Sequence, residues 1–167
     1  MSAKSETYVL FEVAGTNYGI RSADVQHIEM LERITLIPNA NPAVDGVVFS
    51  RGQVIPALNL RARFGFPRAA QTIRTRIVFV QIQRRLVGLI ADSAREFRNI
   101  LIDAVRPIEE TLTGINGNYL KAVATVGDRL VLLLDLEKVL NLEIVEPSLL
   151  ELPEVGNLPP SPKGSRS

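Results

Sequence analysis

The stretch Arg51-Gly52-Gln53-Val54-Ile55-Pro56-Ala57-Leu58-Asn59-Leu60 is typical of a tight turn, a strand and the start of a short helix. A stretch of the same kind, Gly127-Asp128-Arg129-Leu130-Val131-Leu132-Leu133-Leu134-Asp135-Leu136, lies far downstream. In both, glycine suits the positive φ angles of a hairpin turn, and an Asn or Asp can cap the helix. The pattern predicts that the chain contains one β-rich unit twice.

A second matched pair of hairpins lies upstream of these stretches. Residues 8–13 turn at 15–17 into 18–20, and residues 76–82 turn near 83–85 into 86–90. These strands are apolar on both faces, which indicates burial on each side or closure into a barrel. Short strands with regular turns favour a sandwich or small barrels. The fold class predicted is therefore mainly β, with short helices.

The domain limits follow from composition. The Gly-, Pro- and Ala-rich segment 65–72 is the predicted boundary between two halves, consecutive or interleaved, of one body over residues 7–142. Residues 1–6 and 145–167 are predicted to be flexible tails, the second because of its prolines. Within it, Leu149, Leu150 and Leu152 leave open a short docking turn. Pro56 cannot donate to a ladder, so its strand needs an edge or a bulge there.

The composition narrows the class of protein. Of 167 residues, 46% are hydrophobic and 22% charged, which fits one globular domain or two small fused subdomains. The absence of cysteine excludes disulfides, thiol catalysis and cysteine-ligated zinc. The first six residues are polar, and no apolar run approaches the roughly 18 residues of a membrane span. We therefore expect a soluble, cytoplasmic protein.

Charge is unevenly distributed although the net charge is only +1. Residues 46–91 contain eight arginines and no Asp or Glu. Arginines in strands and loops can contact phosphates, so nucleic-acid binding is one hypothesis. Nearby phenylalanines occupy apolar-periodic positions, which favours a core over a base-stacking platform. A face complementary to an acidic protein partner explains the asymmetry equally well.

Motifs for catalysis are missing from the sequence. The single histidine, His27, cannot build a His-rich metal site. The segment 114–118 lacks the Lys-Ser/Thr of a phosphate-binding loop, and no Gly-x-Ser-x-Gly elbow occurs. Glu109 and Glu110 are adjacent and point in different directions, so they make a poor acid/base pair. We predict a protein without catalytic residues, cofactor or metal.

Taken together, ordered segments of this chain resemble the CheW family of bacterial chemotaxis coupling proteins. The resemblance covers about residues 7–142 and is carried by these segments: Tyr8-Val9-Leu10-Phe11, Tyr18-Gly19-Ile20, Val25-Gln26, Gly46-Val47, Arg51-Gly52, Val54-Ile55-Pro56, Leu60-Arg61, Val87-Gly88, Ala91-Asp92, Tyr119-Leu120 and Gly127-Asp128-Arg129. It implies two small SH3-like β-barrels around a shared hydrophobic core. It also implies a non-catalytic adaptor that couples chemoreceptor tips to the regulatory domain of a CheA-type histidine kinase, in rings of adaptor and kinase at membrane receptor arrays.

The resemblance further implies three groups of contact residues. The receptor-binding groove of the family falls on Val25, Gly46 and Arg51. The kinase contact falls on Thr75, Ile77 and Val87. The ring-closing contact falls near Ser22, His27 and Arg106.

The chain departs from the family pattern at two places. Phe49-Ser50 stands where the family usually has Asn-Leu, and Asn59 stands where it usually has Asp. These departures leave receptor identity open and admit service in another chemosensory array, such as one that controls type IV pilus motility.

Overall fold

The structure is a computed structural model that describes residues 4–38, 40–108 and 119–141. The sequence features at 109–110, at 114–118 and in the tail after 141 lie outside the described residues. The strands are β1 (Ser5–Val13), β2 (Thr16–Arg21), β3 (Val25–Met30), β4 (Val44–Ser50), β5 (Gln53–Asn59), β6 (Arg76–Ile82), β7 (Arg85–Ala91), β8 (Ser93–Leu101), β9 (Val105–Pro107), β10 (Leu120–Val126) and β11 (Arg129–Leu134). The described helical turns are η1 (Ser22–Asp24), α1 (Leu60–Arg63), η2 (Ile102–Ala104) and α2 (Leu136–Val139).

The strands form two sheets, and each sheet contains strands from both sequence halves. The six-stranded sheet has the order β8-β1-β2-β11-β10-β9, and the five-stranded sheet has the order β3-β6-β7-β5-β4. In each sheet the first hairpin of one half pairs with the later strands of the other half. The parallel pairs β2·β11 and β5·β7 are the junctions. The halves are therefore interleaved.

The predicted boundary segment 65–72 lies within a loop of residues 65–75. It joins α1 to β6, and the strands on both sides of it belong to the five-stranded sheet. The chain passes from one sheet to the other at η1, between β2 and β3, and back again between β7 and β8. A change in composition along the sequence indicates an exposed loop. It does not tell which sheet a strand joins, because that depends on pairing with strands distant in sequence.

The register shows the duplication residue by residue. Val47 pairs with Pro56 and Ser50 with Gln53, just as Val123 pairs with Leu132 and Val126 with Arg129. Outside these hairpins, Thr35 bridges Val47 as Arg106 pairs with Val123. The repeat predicted from the sequence is thus a repeat of structure.

Three hydrophobic clusters explain why the strands are apolar on both faces. On β1, Val9 and Phe11 join a cluster shared by both sheets, whereas Leu10 points into a cluster enclosed by the six-stranded sheet. On β6, Val78 joins the shared cluster, whereas Phe79 points into a cluster enclosed by the five-stranded sheet. Each sheet therefore has its own interior, and a third core holds the two together.

The two short helices begin at the predicted caps. The Asn59 side chain accepts a hydrogen bond from the Ala62 amide, and that of Asp135 accepts one from the Lys138 amide. One side-chain acceptor satisfies an amide that the first helical turn leaves without a partner. From α1, Arg63 donates to the Val139 carbonyl at 2.9 Å, which ties together the corresponding helices of the two halves.

Pro56 lies where its missing N–H costs no ladder bond. Val47, its cross-strand partner, exchanges both backbone hydrogen bonds with Thr35 instead. The two residues therefore form a non-hydrogen-bonded pair, in which the Pro56 nitrogen faces away from β4. On that side the parallel pairing with β7 begins only at Ala57. The strand is thus an edge at Pro56, as expected.

A partly buried ion pair links the first hairpin to α1. Arg61 donates three hydrogen bonds to Asp92, at 2.9, 3.1 and 2.8 Å, and the Ala14 amide donates to the same carboxylate at 2.8 Å. Burial alone would raise the pKa of Asp92. The hydrogen bonds from Arg61 and Ala14 and the Arg61 charge outweigh burial, so the pKa lies below its ordinary value of 3.8.

Because of this pair, we expect part of the free energy of unfolding to be lost at acid pH, and Asp92→Asn to remove that pH dependence. A carboxylate with a lowered folded pKa adds stability above pH 3.8, and that stability is lost as pH falls through the folded value. We expect Asp92→Asn to cost about 1 kcal/mol at pH 7, because the 31% exposed side chain is partly screened. The measurement is urea unfolding at several pH values. A constant difference from pH 7 to pH 3 would contradict the prediction.

Candidate partner-binding surface

Arg51 occupies the tip of the β4–β5 hairpin. It has a φ of 52° and the following Gly52 a φ of 81°, so both central residues of the turn are left-handed. Such a φ costs an arginine roughly 1 kcal/mol. The Arg51 side chain is 69% exposed, and its Nε lies 3.8 Å from a Glu29 carboxylate oxygen. The turn therefore presents a guanidinium group to solvent.

A polar cluster beneath this tip joins the two edge strands of the five-stranded sheet. One carboxylate oxygen of Glu29 on β3 accepts a hydrogen bond from the Ser50 hydroxyl on β4 at 2.7 Å. The same oxygen lies 2.9 Å from His27 Nε2. The His27 ring stacks on Phe79 with 4.4 Å between ring centroids. The side chains thus bring β3 and β4 together where no described ladder joins them.

The other sheet has a polar contact at the corresponding place. Glu96 on β8 accepts from Arg98 at 2.9 Å, and Arg129, at the start of β11, lies 3.8 Å from the same carboxylate. In the repeat, β8 corresponds to β3 and β11 corresponds to β5. Because both halves place a polar contact between an edge strand and a hairpin tip, the His27 cluster has a structural explanation.

A pocket of about 480 Å³ opens between β3 and β4, next to the cluster. Its floor is apolar, with Ile77 and Phe79 of the enclosed core. Phe49 lies on its rim and is 75% exposed, and its cross-strand partner Val54 is 66% exposed. The β4–β5 hairpin therefore carries an exposed aromatic ring and a guanidinium group beside a pocket with an apolar floor. This combination is common in protein–protein interfaces.

Gly46 and Val25, predicted for the same groove, lie elsewhere on the five-stranded sheet. Gly46 is buried and has a φ of 150°. A Cβ on it would lie 2.8 Å from Cγ2 of Ile34 and closer still to the carbonyl oxygen of Thr35. The space over Gly46 is thus filled by the chain itself, and the part of Gly46 in a receptor groove stays a prediction. Val25 is half-buried and packs against the shared core.

Comparisons with known proteins identify the fold. A family model described as CheW-like domain matches residues 7–143. The chain belongs to the CheW-like domain family. Relatives named chemotaxis protein CheW come from Klebsiella aerogenes (26% identical, covering 83% of both chains), Bacillus subtilis (28%, covering 83% of this chain and 88% of the relative) and Helicobacter pylori (29%, covering 80% of both). The scaffolding protein TtCheW from Thermoanaerobacter tengcongensis superposes with a TM-score of 0.76 at 26% identity, covering 83% of this chain and 94% of that one.

Within this CheW-like domain, two of the predicted kinase-contact residues are buried. Ile77 is 2% exposed and belongs to the core enclosed by the five-stranded sheet. Thr75 is 8% exposed, and its hydroxyl accepts a hydrogen bond from the Thr72 amide. Val87 is partly buried against the shared core. The side chains of Ile77 and Thr75 are thus largely buried in this structure, and the kinase contact stays a prediction.

The predicted ring-contact residues lie on different parts of the CheW-like domain. Ser22 begins η1, and His27 belongs to the cluster under Arg51. Arg106 lies on β9 of the other sheet and is exposed. The structure describes no contact among the three. Their common role stays a prediction.

Glu29 is the residue that sequence reasoning missed. It connects His27, Ser50 and Arg51. Its signal was the spacing of two from His27, which puts both side chains on the same face of a strand. That spacing alone does not show that β4 approaches from the far edge of the sheet.

Most arginines of the acid-free segment are engaged within the fold. Arg61 binds Asp92, and Arg68 binds Asp45 at 2.8 Å. Others donate to backbone carbonyls: Arg63 to Val139, Arg76 to Ile73 and Arg85 to Leu140. Five of the eight arginines are thus held by contacts within the fold, which argues against a continuous phosphate-binding surface built from this segment.

In residues 4–38, 40–108 and 119–141, no helix is both long and apolar enough to cross a membrane. In the same ranges, no group of three or more His, Cys, Asp or Glu is placed to hold a metal ion.

Proposed function

We propose that this chain is a chemotaxis scaffold that couples the cytoplasmic tips of chemoreceptors to a CheA-type histidine kinase and catalyses no reaction itself. The family match over residues 7–143 carries the proposal, because it spans both interleaved halves. The relatives are named chemotaxis proteins, and the solved neighbour is named a scaffolding protein. The proposal places the chain in the cytoplasm beside membrane receptor arrays.

The local chemistry supports a binding role. Ser50 donates to Glu29, and His27 Nε2 lies near that same carboxylate oxygen as well as 3.3 Å from the Ser50 hydroxyl. In a nucleophilic triad, the histidine instead separates the hydroxyl from the carboxylate. Arg51, Phe49 and Val54 offer an exposed charged and apolar surface, which suits a protein partner.

The test is binding of the purified chain to the regulatory domain of a CheA-type kinase and to a receptor signalling tip. We expect both to bind, with kinase binding largely retained between 50 and 200 mM salt. Nucleic-acid binding through arginines would instead fall about 10³-fold or more over that range. Strong, salt-steep binding of RNA or DNA without kinase binding would overturn the proposal.

The motility system served is a separate question. A pilus-associated array remains the alternative to a flagellar one. Capture of the chain from its native cells, followed by identification of the bound kinase and receptors, distinguishes the two.

A further inference from the structure

The β4–β5 hairpin has an unpartnered apolar face, here called the outer face and made of Val47, Phe49, Val54 and Pro56. Their neighbours Val48 and Ile55 point into the enclosed core, so alternation directs the outer face away from it. Phe49 is 75% exposed and Val54 is 66% exposed. The outer face therefore presents apolar area to solvent.

Arginines lie at one end of this face. Strands β5 and β7 are parallel, so the turns that precede them lie at the same end of the sheet. The first turn carries Arg51, and the second carries Arg84 and leads into Arg85. Alternation along β7 puts Arg85 on the side of Val87, which packs against the shared core, rather than in the enclosed interior. Glu29, 3.8 Å from Arg51, offsets only part of this positive charge.

The described chain ends beside one of these arginines, Arg85. Arg85 Nη1 donates to the Leu140 carbonyl at 3.2 Å, and Arg63 Nη2 donates to the Asn141 carbonyl at 2.6 Å. From β7 to β4 is two strand spacings, about 10 Å. Ten residues of extended chain span about 33 Å, so the segment after Asn141 can reach the whole outer face.

The sequence of that segment complements the face. Residues 142–157 contain four glutamates and no Lys or Arg. They also contain seven large aliphatic residues: Leu142, Ile144, Val145, Leu149, Leu150, Leu152 and Val155. An acidic, leucine-rich segment fits an apolar face with an arginine edge, because both its apolar area and its charge find partners.

We propose that the outer face is a docking site for residues 142–157 of the same chain. The leucines cover Phe49 and Val54, and the glutamates lie toward Arg51 and Arg84. Docking does not depend on the proposed function. Its consequence does: because the segment covers the Arg51 hairpin, it competes with any partner that binds there.

Because the chain has no cysteine, the segment can be spin-labelled selectively. A nitroxide on Ser148→Cys in the full ¹⁵N-labelled chain should attenuate the amide signals of Val47, Phe49 and Val54. The β10–β11 hairpin provides the internal comparison, since Leu130, the counterpart of Val54, is 63% exposed. Equal attenuation on both hairpins, or none on β4–β5, would overturn the proposal.

Two variants and one mixture complete the test. Phe49→Ser should abolish the attenuation and Leu130→Ser should leave it intact; the reverse result would contradict docking on the outer face. Spin-labelled chain without ¹⁵N, mixed with unlabelled ¹⁵N chain, should give no attenuation. Attenuation in that mixture would assign the contact to a second copy and overturn docking within one chain.

The competition has its own readout. If the segment is docked in half of the molecules, Leu149→Ser with Leu150→Ser should raise the apparent affinity for the Arg51 partner about twofold. If the double variant binds the partner with unchanged affinity while the chain that keeps both leucines shows the attenuation, the competition is refuted and the docking stands. Loss of all partner binding in the unmodified chain would instead refute the proposed function.

Discussion

Gly46→Ala is expected to destabilise the protein by about 3 kcal/mol. Two costs combine at this position: a φ of 150° that L side chains rarely adopt, and a Cβ placed 2.9 Å from the backbone carbon of Thr35. The obstacle is backbone, so a side-chain rotation cannot relieve it. The segment containing Thr35 must move away and give up its two hydrogen bonds to Val47. Urea unfolding followed by circular dichroism measures the loss.

Gly52→Ala is the matched control for this prediction. Gly52 also has a positive φ, 81°, but a Cβ there would meet nothing within 4 Å. Its substitution should cost only about 1 kcal/mol, the conformational part. Equal losses in the two variants would show that the approach of Thr35 is unimportant. A Gly46 variant that binds receptor poorly would then have lost a contact rather than its local fold.

The sequence allowed the repeated unit to be recognised because short-range signals determine it. Asn59 and Asp135 predicted the two helix starts, since a cap acts within three residues. Apolar residues on both faces of β1 predicted burial on both sides, and the shared and enclosed cores explain it. These features depend on neighbours along the chain.

The arrangement of the site could not be predicted, because it depends on distant pairings. That β4 and β3 are opposite edges, joined through Glu29 and Ser50, follows from the curvature of the whole sheet. Ile77 was predicted to be a contact residue although it lies in a core. Where both faces of a strand are apolar, alternation does not tell which face meets a partner. That the space over Gly46 is blocked could not be predicted either, because it depends on where the fold places Thr35.

Arg51→Glu is expected to weaken receptor binding at least 30-fold while leaving the fold intact. The side chain is 69% exposed, so it contributes little packing. Removal of a central interface anchor costs about 2 kcal/mol or more, which corresponds to roughly 30-fold in affinity. Reversal of charge also sets a second carboxylate beside Glu29. Titration of a receptor signalling tip with the purified variant measures the change, and circular dichroism checks the fold.

Arg51→Asn distinguishes the contribution of the Arg51 side chain from that of the turn conformation. Asparagine tolerates a left-handed φ better than arginine does, so this variant should be as stable as the wild type or more stable by about 0.5 kcal/mol. It should nevertheless bind receptor weakly, because the guanidinium group is gone. If Arg51→Asn binds as well as the wild type while Arg51→Glu does not, the effect of glutamate is repulsion near Glu29, and Arg51 is no anchor. Wild-type affinity in both variants would place the receptor contact away from the β4–β5 hairpin.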